Sequence, residues 1–531
     1  MKKLPLGIQN FKEIIEENYI YADKTQYVYN LLNDAKYYFL SRPRRFGKSL
    51  LLDTIAEVFN GDKELFKGLW IYDSGYSFKK HPTVRIDMSS LANKTPDVLE
   101  NSLSFYLKIY YNAEGFAYEE NIAANAFMNL ILLLYNKYSQ KVVVLIDEYD
   151  KPILDHVENI DTANENRQVL KGFYGILKSM DPYLRFTMIT GVTKFNKTSI
   201  FSGLNNLFDI TLTKKYANIC GIVTTDLEKY FGEHIEYLSA VDNFKNHKNL
   251  REEILSWYDG YSWDGETRVI NPFSLITFIM QERFAGFWFE SGSPKFLIDL
   301  IRKNPGDYIS LKNLEILEYM LEIMDIENIA IEPLLFQTGY LTVKEIKPSR
   351  GALAYLVEMP NYEVREAFNL QLISALTKTS DVRTWRAYKD INNALYTGDL
   401  QVMLEILRGL FASIPYELHV NEEAYYHSIF YAIMTLLGFN MDVEVSTSKG
   451  RIDAILELDD KVYVMEFKYY NCPSDINDDA KKELINTALD NAMNQIIDRG
   501  YCDKYKGSCK TIYKVAFAFL GRDNIEIRVD N

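Results

Sequence analysis

Gly47-Lys48-Ser49 stands between an aromatic and aliphatic run, Tyr37 to Leu40, and a helically spaced apolar run, Ser49 to Phe59. In a strand–loop–helix such a triplet cradles phosphate. The glycine lets backbone N–H groups approach an anion, the lysine reaches the outer phosphates, and the serine hydroxyl ligates Mg²⁺. The helix N-terminus adds favourable partial charge. The first glycine of the full pattern would fall at position 42, where this chain has Arg42. About a hundred residues on, the apolar run Val142 to Ile146 ends in Asp147-Glu148. Acids at the carboxyl end of a buried strand suit nucleotide hydrolysis, Asp147 holding Mg²⁺ and Glu148 polarising the attacking water. Thr190 ends another strand-like run; it reads either as a sensor of the terminal phosphate or as a capping threonine. The implied ligand is ATP or GTP with Mg²⁺.

A third cluster lies near the end of the chain. Two strand-like runs, Arg451 to Leu458 and Lys461 to Lys468, flank Asp459-Asp460, which reads as a two-residue hairpin loop. In that register Leu456 faces Tyr463, and Asp453 faces Glu466 on one side of the sheet. Their Cβ atoms would then be about 5 Å apart, close enough to share one divalent ion. Lys468 follows Glu466 at period two and shares its face. Two carboxylates and a lysine are the parts of metal-assisted phosphodiester hydrolysis: hard oxygens hold Mg²⁺ or Mn²⁺, and the lysine orients or activates the nucleophile. The opposite face, with Ile452, Ala454, Leu456, Tyr463, Met465 and Phe467, is apolar and packs on helices.

The elements that must position these groups read as an α/β order. Strands are expected at Tyr37 to Leu40, Thr83 to Met88, Lys141 to Ile146 and Leu184 to Thr190. Helices fall between them at Ser49 to Phe59, Thr95 to Tyr111, Glu119 to Tyr138 and Asn164 to Met180. Such alternation implies a doubly wound parallel sheet with its ligands at the carboxyl ends of the strands. A short strand at Phe208 to Leu212 and a helical region from Thr225 follow. The aromatics of Trp257-Tyr258-Asp259-Gly260-Tyr261 are expected to pack a lid onto the first core. Residues 295–409 read as mostly helices with a strand pair, Leu341 to Ile346 and Tyr355 to Met359, around a turn at Pro348-Ser349-Arg350-Gly351.

The 531 residues carry 59 basic and 73 acidic side chains, a net charge of −14. No global basic field recruits nucleic acid, so a polyanion site must be a local patch. From Asn421 onward 13 bases meet 19 acids. The patch candidates are Lys449, Arg451, Lys468, Arg499, Lys504 and Lys506, or the Arg42-Arg44-Arg45 loop. Four dispersed cysteines suggest neither a disulfide framework nor a zinc site. No apolar run approaches membrane-spanning length, and the expected address is the cytoplasm.

Several stretches together resemble a known family of bacterial and archaeal proteins with an AAA-ATPase-like N-terminal domain and a C-terminal nuclease-like domain. They are Leu4-Pro5-Leu6-Gly7-Ile8, Tyr21-Ala22-Asp23-Lys24-Thr25, Phe39 to Ser49, Leu145 to Asp150, Thr190 to Phe195 and Trp257 to Tyr261. The Arg-Pro-Arg-Arg loop is similar to the family's own, so Arg45 and Phe46 join Gly47, Lys48 and Ser49 in the implied nucleotide loop. The late hairpin resembles the core of the PD-(D/E)XK nuclease superfamily. By that likeness Glu423, with Glu422 as the alternative, supplies a further acid near the metal, and Gln495 lies on a helix beside the site. The proline that often precedes the first aspartate is Ile452 here.

The resulting division is 1–215, an AAA-like P-loop (ASCE) domain; 216–410, a mostly helical lid or connector; and 411–531, a restriction-endonuclease-like α/β domain. The expected function is an ATP-controlled, Mg²⁺- or Mn²⁺-dependent nuclease acting on DNA or RNA. The alternative is a nucleotide-dependent switch or scaffold that binds nucleic acid or a partner without cutting. A motor would require a single ATPase core to assemble into a homo-oligomeric ring.

Overall fold

The computed structural model describes all residues except 196–199, 202–203, 205, 246, 248, 289–313, 323–329, 350, 378–379, 413–429, 431–432, 434–440, 448–449, 459, 471–476, 499–501, 506–509, 521–523 and 531. Two compact units emerge, one spanning Met1–Ser293 with Asn313–Glu363, the other Val364–Asn531. The described part of the expected connector is thus shared, its portion up to Glu363 belonging with the first unit.

The first unit is built on five parallel strands: β1 (Tyr37–Ser41), β2 (Thr83–Asp87), β3 (Val142–Asp147), β4 (Leu184–Gly191) and β5 (Phe208–Asp209). They lie in the order β2-β3-β4-β1-β5. Every residue of β1 and β3 is buried, as unbroken apolar runs require when helices cover both faces of a parallel sheet. β4 lies between β1 and β3, pairing Leu40 with Thr190 on one side and Ile146 with Ile189 on the other. That insertion brings Thr190 between the glycine loop and the acid pair, all at the carboxyl ends of their strands. The helix Lys48–Asn60 begins after Gly47 and stops at Gly61, both at positive φ.

After β5 the chain forms three helices, Thr224–Ser239, Leu250–Tyr258 and Pro272–Gln281. Phe231, Leu238, Ile254, Tyr258, Leu275 and Phe278 make their common core. Gly260 is obligatory there: its φ is 108°, and a Cβ would meet the Pro360 carbonyl oxygen at 2.1 Å. The strand pair is present as β7 (Thr342–Ser349) and β8 (Ala352–Glu358). Its turn is tighter than expected, because Ser349 already pairs with Ala352. A further strand, β6 (Leu314–Leu317), adds to β8 where a helix was expected.

In the second unit a mixed sheet runs in the order β13-β12-β11-β10-β9. The strands are β9 (Met441–Thr447), β10 (Gly450–Glu457), β11 (Lys461–Tyr470), β12 (Thr511–Leu520) and β13 (Asn524–Asp530). β11 and β12 are parallel, the other pairings antiparallel. The helix Asp478–Asp498 covers one face through Ala488, Ala492 and Met493 against Ala516 and Ala518. Among the described residues no helix is long and apolar enough to cross a membrane.

Candidate functional site

The loop after β1 turns on two left-handed residues, Arg45 (φ 69°) and Gly47 (φ 94°). Nothing lies within 4 Å of a Cβ built on Gly47, so conformation rather than crowding calls for glycine there. Lys48 is buried, and its Nζ donates to the carbonyls of Arg42 (2.9 Å) and Pro43 (3.1 Å). Ser49 opens the helix half-buried, and its hydroxyl has no partner among the described residues.

Arg42 is not part of an anion patch. Its side chain is fully buried. Nη1 donates to the carbonyls of Ser41 (2.9 Å) and Thr211 (2.8 Å), and Nη2 to that of Tyr216 (3.4 Å). The guanidinium lies 3.9 Å from the centre of the Trp263 ring, and burial pushes its pKa down to about 10. Of the three loop arginines only Arg44 and Arg45 are exposed, which corrects the expectation of a three-arginine polyanion loop. Arg45 lies 3.6 Å over the Phe273 ring. Phe46 packs edge-on against Tyr261 and Trp263, so part of the aromatic motif does close over the loop.

Asp147 is buried and accepts from Thr190 Oγ1 at 2.6 Å. Glu148 sits in left-handed backbone at φ 48°, a conformation that strains a non-glycine residue. Burial pushes its carboxyl pKa upward. Lys48 opposes that rise, Asp147 and Asp150 add to it, and Arg44 lowers it again. The carboxyl therefore feels the charges of the loop lysine and of its neighbouring acid together. Asp150 serves the fold instead. It is buried and accepts from Thr193 N and Oγ1, both at 2.6 Å, and from Val192 N at 3.1 Å. These bonds brace the segment after β4.

A cavity of about 100 Å³ opens beside Gly47. Its lining joins Phe46, Leu50 and Leu51 to Ile20 and Tyr21 of the N-terminal segment and to Cys220, Ile222 and Ile276. Lys24 ties two of these pieces together, its Nζ bonding Asp226 Oδ2 at 2.6 Å and Asn218 Oδ1 at 2.7 Å. Asp23 accepts from Thr25 N and Trp70 N. Sequence alone gives Tyr21-Ala22-Asp23-Lys24-Thr25 no role, because its contacts with residues near position 220 carry no short-range signal.

In the second unit β10 and β11 pair in the expected register, from Ala454–Met465 to Glu457–Val462. Asp453 and Glu466 are the next positions of that register beyond the last described pair, and the Asp453 side chain lies outside the described residues. Glu466 is 1% exposed, and Lys468 Nζ stands 2.9 Å from its Oε1. Gln495 is half-buried on the helix Asp478–Asp498. That helix covers the face of β12 carrying Ala516 and Ala518, which pair with Glu466 and Lys468. Glu422, Glu423, Lys449, Arg499 and Lys506 lie outside the described residues, as do the side chains of Arg451 and Lys504.

A family model described as "Predicted AAA-ATPase" matches residues 5–201, and one for the PD-(D/E)XK nuclease superfamily matches residues 421–528. The "Uncharacterized protein in vnfD 5'region" of Azotobacter chroococcum mcd 1 is 35% identical over 525 residues, covering 98% of this chain and 96% of that one. Related from end to end to that protein, and with both modules in this order, the chain belongs to the family of AAA-ATPase-like proteins that end in a PD-(D/E)XK nuclease superfamily domain.

Proposed function

We propose that the first unit binds and hydrolyses ATP, and that its nucleotide state governs a metal-dependent nuclease in the second. The observation that carries the first half is the convergence of Lys48, Asp147, Glu148 and Thr190 at the carboxyl ends of β1, β3 and β4. The residues suit Mg²⁺·ATP. The Lys48 ammonium, folded onto two carbonyls of its own loop, has stronger acceptors in phosphate oxygens. Ser49 Oγ and the Asp147 carboxylate are hard oxygen donors that would hold Mg²⁺, which would supply charge neutralisation to the phosphates. Thr190 holds Asp147 in place by its 2.6 Å hydrogen bond. Glu148, its proton affinity raised by burial, accepts a proton from water more readily than an exposed carboxylate does. The cavity beside Gly47 receives the base, with Ile20, Ile222 and Ile276 as apolar walls.

In the second unit the buried Glu466 carboxylate beside Lys468 suits a hard divalent ion, with Asp453 and Glu423 as further oxygen ligands. Bound there, Mg²⁺ or Mn²⁺ supplies charge neutralisation at the scissile phosphate and lowers the pKa of a water. Lys468 would orient or activate the nucleophile, with Gln495 on a helix beside the site. The deciding experiment incubates wild type and Asp453→Ala with plasmid, single-stranded DNA and RNA, with and without Mn²⁺ and ATP. Cleavage by wild type alone, changed by ATP, is expected. Nucleic acid retained on a filter but cut by neither protein refutes the nuclease and leaves a nucleotide-dependent scaffold.

A further inference from the structure

The second unit also carries an exposed surface that neither site uses. The helix Asp381–Thr397 turns Val382, Trp385, Arg386, Lys389 and Tyr396 outward, with 63% of Val382, 44% of Trp385 and 53% of Tyr396 exposed. Positions 385, 389 and 396 follow the i, i+4, i+11 spacing of one helical line, and Arg386 stands beside it. Trp385 is held flat on Tyr388, with ring centres 4.6 Å apart and planes 14° from parallel, so its orientation is set before anything binds. Arg383, Arg386 and Lys389 make no ion pair among the described residues, and Asp390 is the one exposed acid beside them there. Lys389 lies on the line of the two exposed rings and Arg386 beside it, in a chain of net charge −14.

We propose that this helix face docks a single strand of nucleic acid, its bases stacking on Trp385 and Tyr396 and its phosphates meeting Lys389 and Arg386. Aromatic platforms alternating with cations are what sequence-tolerant single-strand binding requires. Eleven residues of helix span about 16 Å, roughly five nucleotide steps at 3.4 Å each. The helix is anchored to the nuclease sheet. Its Leu395 carbonyl accepts from Tyr463 Oη at 2.6 Å, and Tyr463 lies on β11, the strand of Glu466 and Lys468. Period-two alternation puts Tyr463 on the face opposite Glu466, so this surface holds the strand and takes no part in cutting it. The proposal rests on reading the second unit as directed at nucleic acid.

Fluorescence anisotropy of the full chain with a labelled single strand, and with its duplex, in EDTA at several salt concentrations tests this. Wild type is expected to prefer the single strand. Trp385→Ala should weaken it about tenfold with little change in salt dependence, and Trp385→Phe should restore most of the loss. Arg386→Ala with Lys389→Ala should lower the salt slope by about 1.4, that is 0.7 per lost contact. With Mn²⁺ both variants should raise KM and leave kcat. Variants that melt like wild type and bind like it overturn the proposal alone, whereas a wild type that binds no nucleic acid overturns it together with the nuclease reading. Polyglutamate competing as well as the single strand would assign the face to an acidic protein instead.

Discussion

Replacing Arg42 by glycine restores the full Gly-x-x-x-x-Gly-Lys-Ser pattern, and pattern matching alone expects tighter nucleotide binding. The structure expects collapse of the loop. The Arg42 side chain makes two short bonds, to the Ser41 and Thr211 carbonyls at 2.9 and 2.8 Å, and a longer one to Tyr216 at 3.4 Å. Bonds from a charged donor contribute about 1.5–3 kcal/mol each, and the stack on Trp263 about 2 kcal/mol more where it is desolvated. Glycine adds roughly 0.5–1 kcal/mol of backbone entropy cost. Against this stands the desolvation penalty of a buried guanidinium, visible in its lowered pKa, which the substitution relieves. The net loss is about 2–6 kcal/mol, the cost of leaving the Ser41 and Thr211 carbonyls buried without their donor. For a unit of this size that is on the order of 10 °C in Tm. Because the Arg42 carbonyl also holds Lys48 Nζ, ATP affinity falls as well. Differential scanning fluorimetry with isothermal titration measures both. An Arg42→Gly protein that melts within a degree or two of wild type and binds ATP as tightly would refute the structural role of Arg42.

Lys48→Ala removes the cation proposed to reach the outer phosphates and should weaken ATP on the order of a hundredfold by isothermal titration. Glu148→Gln should keep ATP binding and lose about 10²- to 10⁴-fold in phosphate release; wild-type turnover should itself fall as pH drops through the raised pKa of Glu148. That pKa lies above the ordinary 4.5, so the native state binds the extra proton. The stabilisation this gives is full below 4.5 and lost as pH rises through the native value. At pH 7 the charged carboxylate thus costs stability, and Glu148→Gln should melt no lower than wild type; a lower Tm contradicts the burial argument. Glu466→Gln should abolish Mn²⁺-dependent cutting while anisotropy still shows nucleic-acid binding. Gly260→Ala should unfold the first unit by far-UV circular dichroism, since its Cβ cannot coexist with the Pro360 carbonyl.

The parts of this protein that could be read from sequence are those in which local pattern and tertiary role coincide. Val142 to Ile146 is apolar without a break because both faces of β3 are covered, and Asp147-Glu148 follows at the strand's carboxyl end, the end at which the glycine loop also lies. The hairpin register was legible because a two-residue loop leaves little choice of pairing, and Ala454 to Glu457 duly face Met465 to Val462. What escaped depends on partners far away in the chain. Arg42 looks like a phosphate ligand because it stands in a phosphate-loop pattern, yet its acceptors include the carbonyls of Thr211 and Tyr216, about 170 residues away. The cavity walls come from widely separated segments, and the bonds of Lys24 to Asn218 and Asp226 explain why the N-terminal motif belongs to them. β6 was missed for the same reason: Leu314–Leu317 is a strand because β8 offers it an open edge, and four residues have no periodicity long enough to announce that. A residue whose type suits chemistry is therefore a candidate only when polar atoms remain available after the fold has used what it needs. The Glu148 carboxylate meets that test, Lys48 keeps one of its three donors after bonding the Arg42 and Pro43 carbonyls, and Arg42 and Asp150 are taken up by the fold.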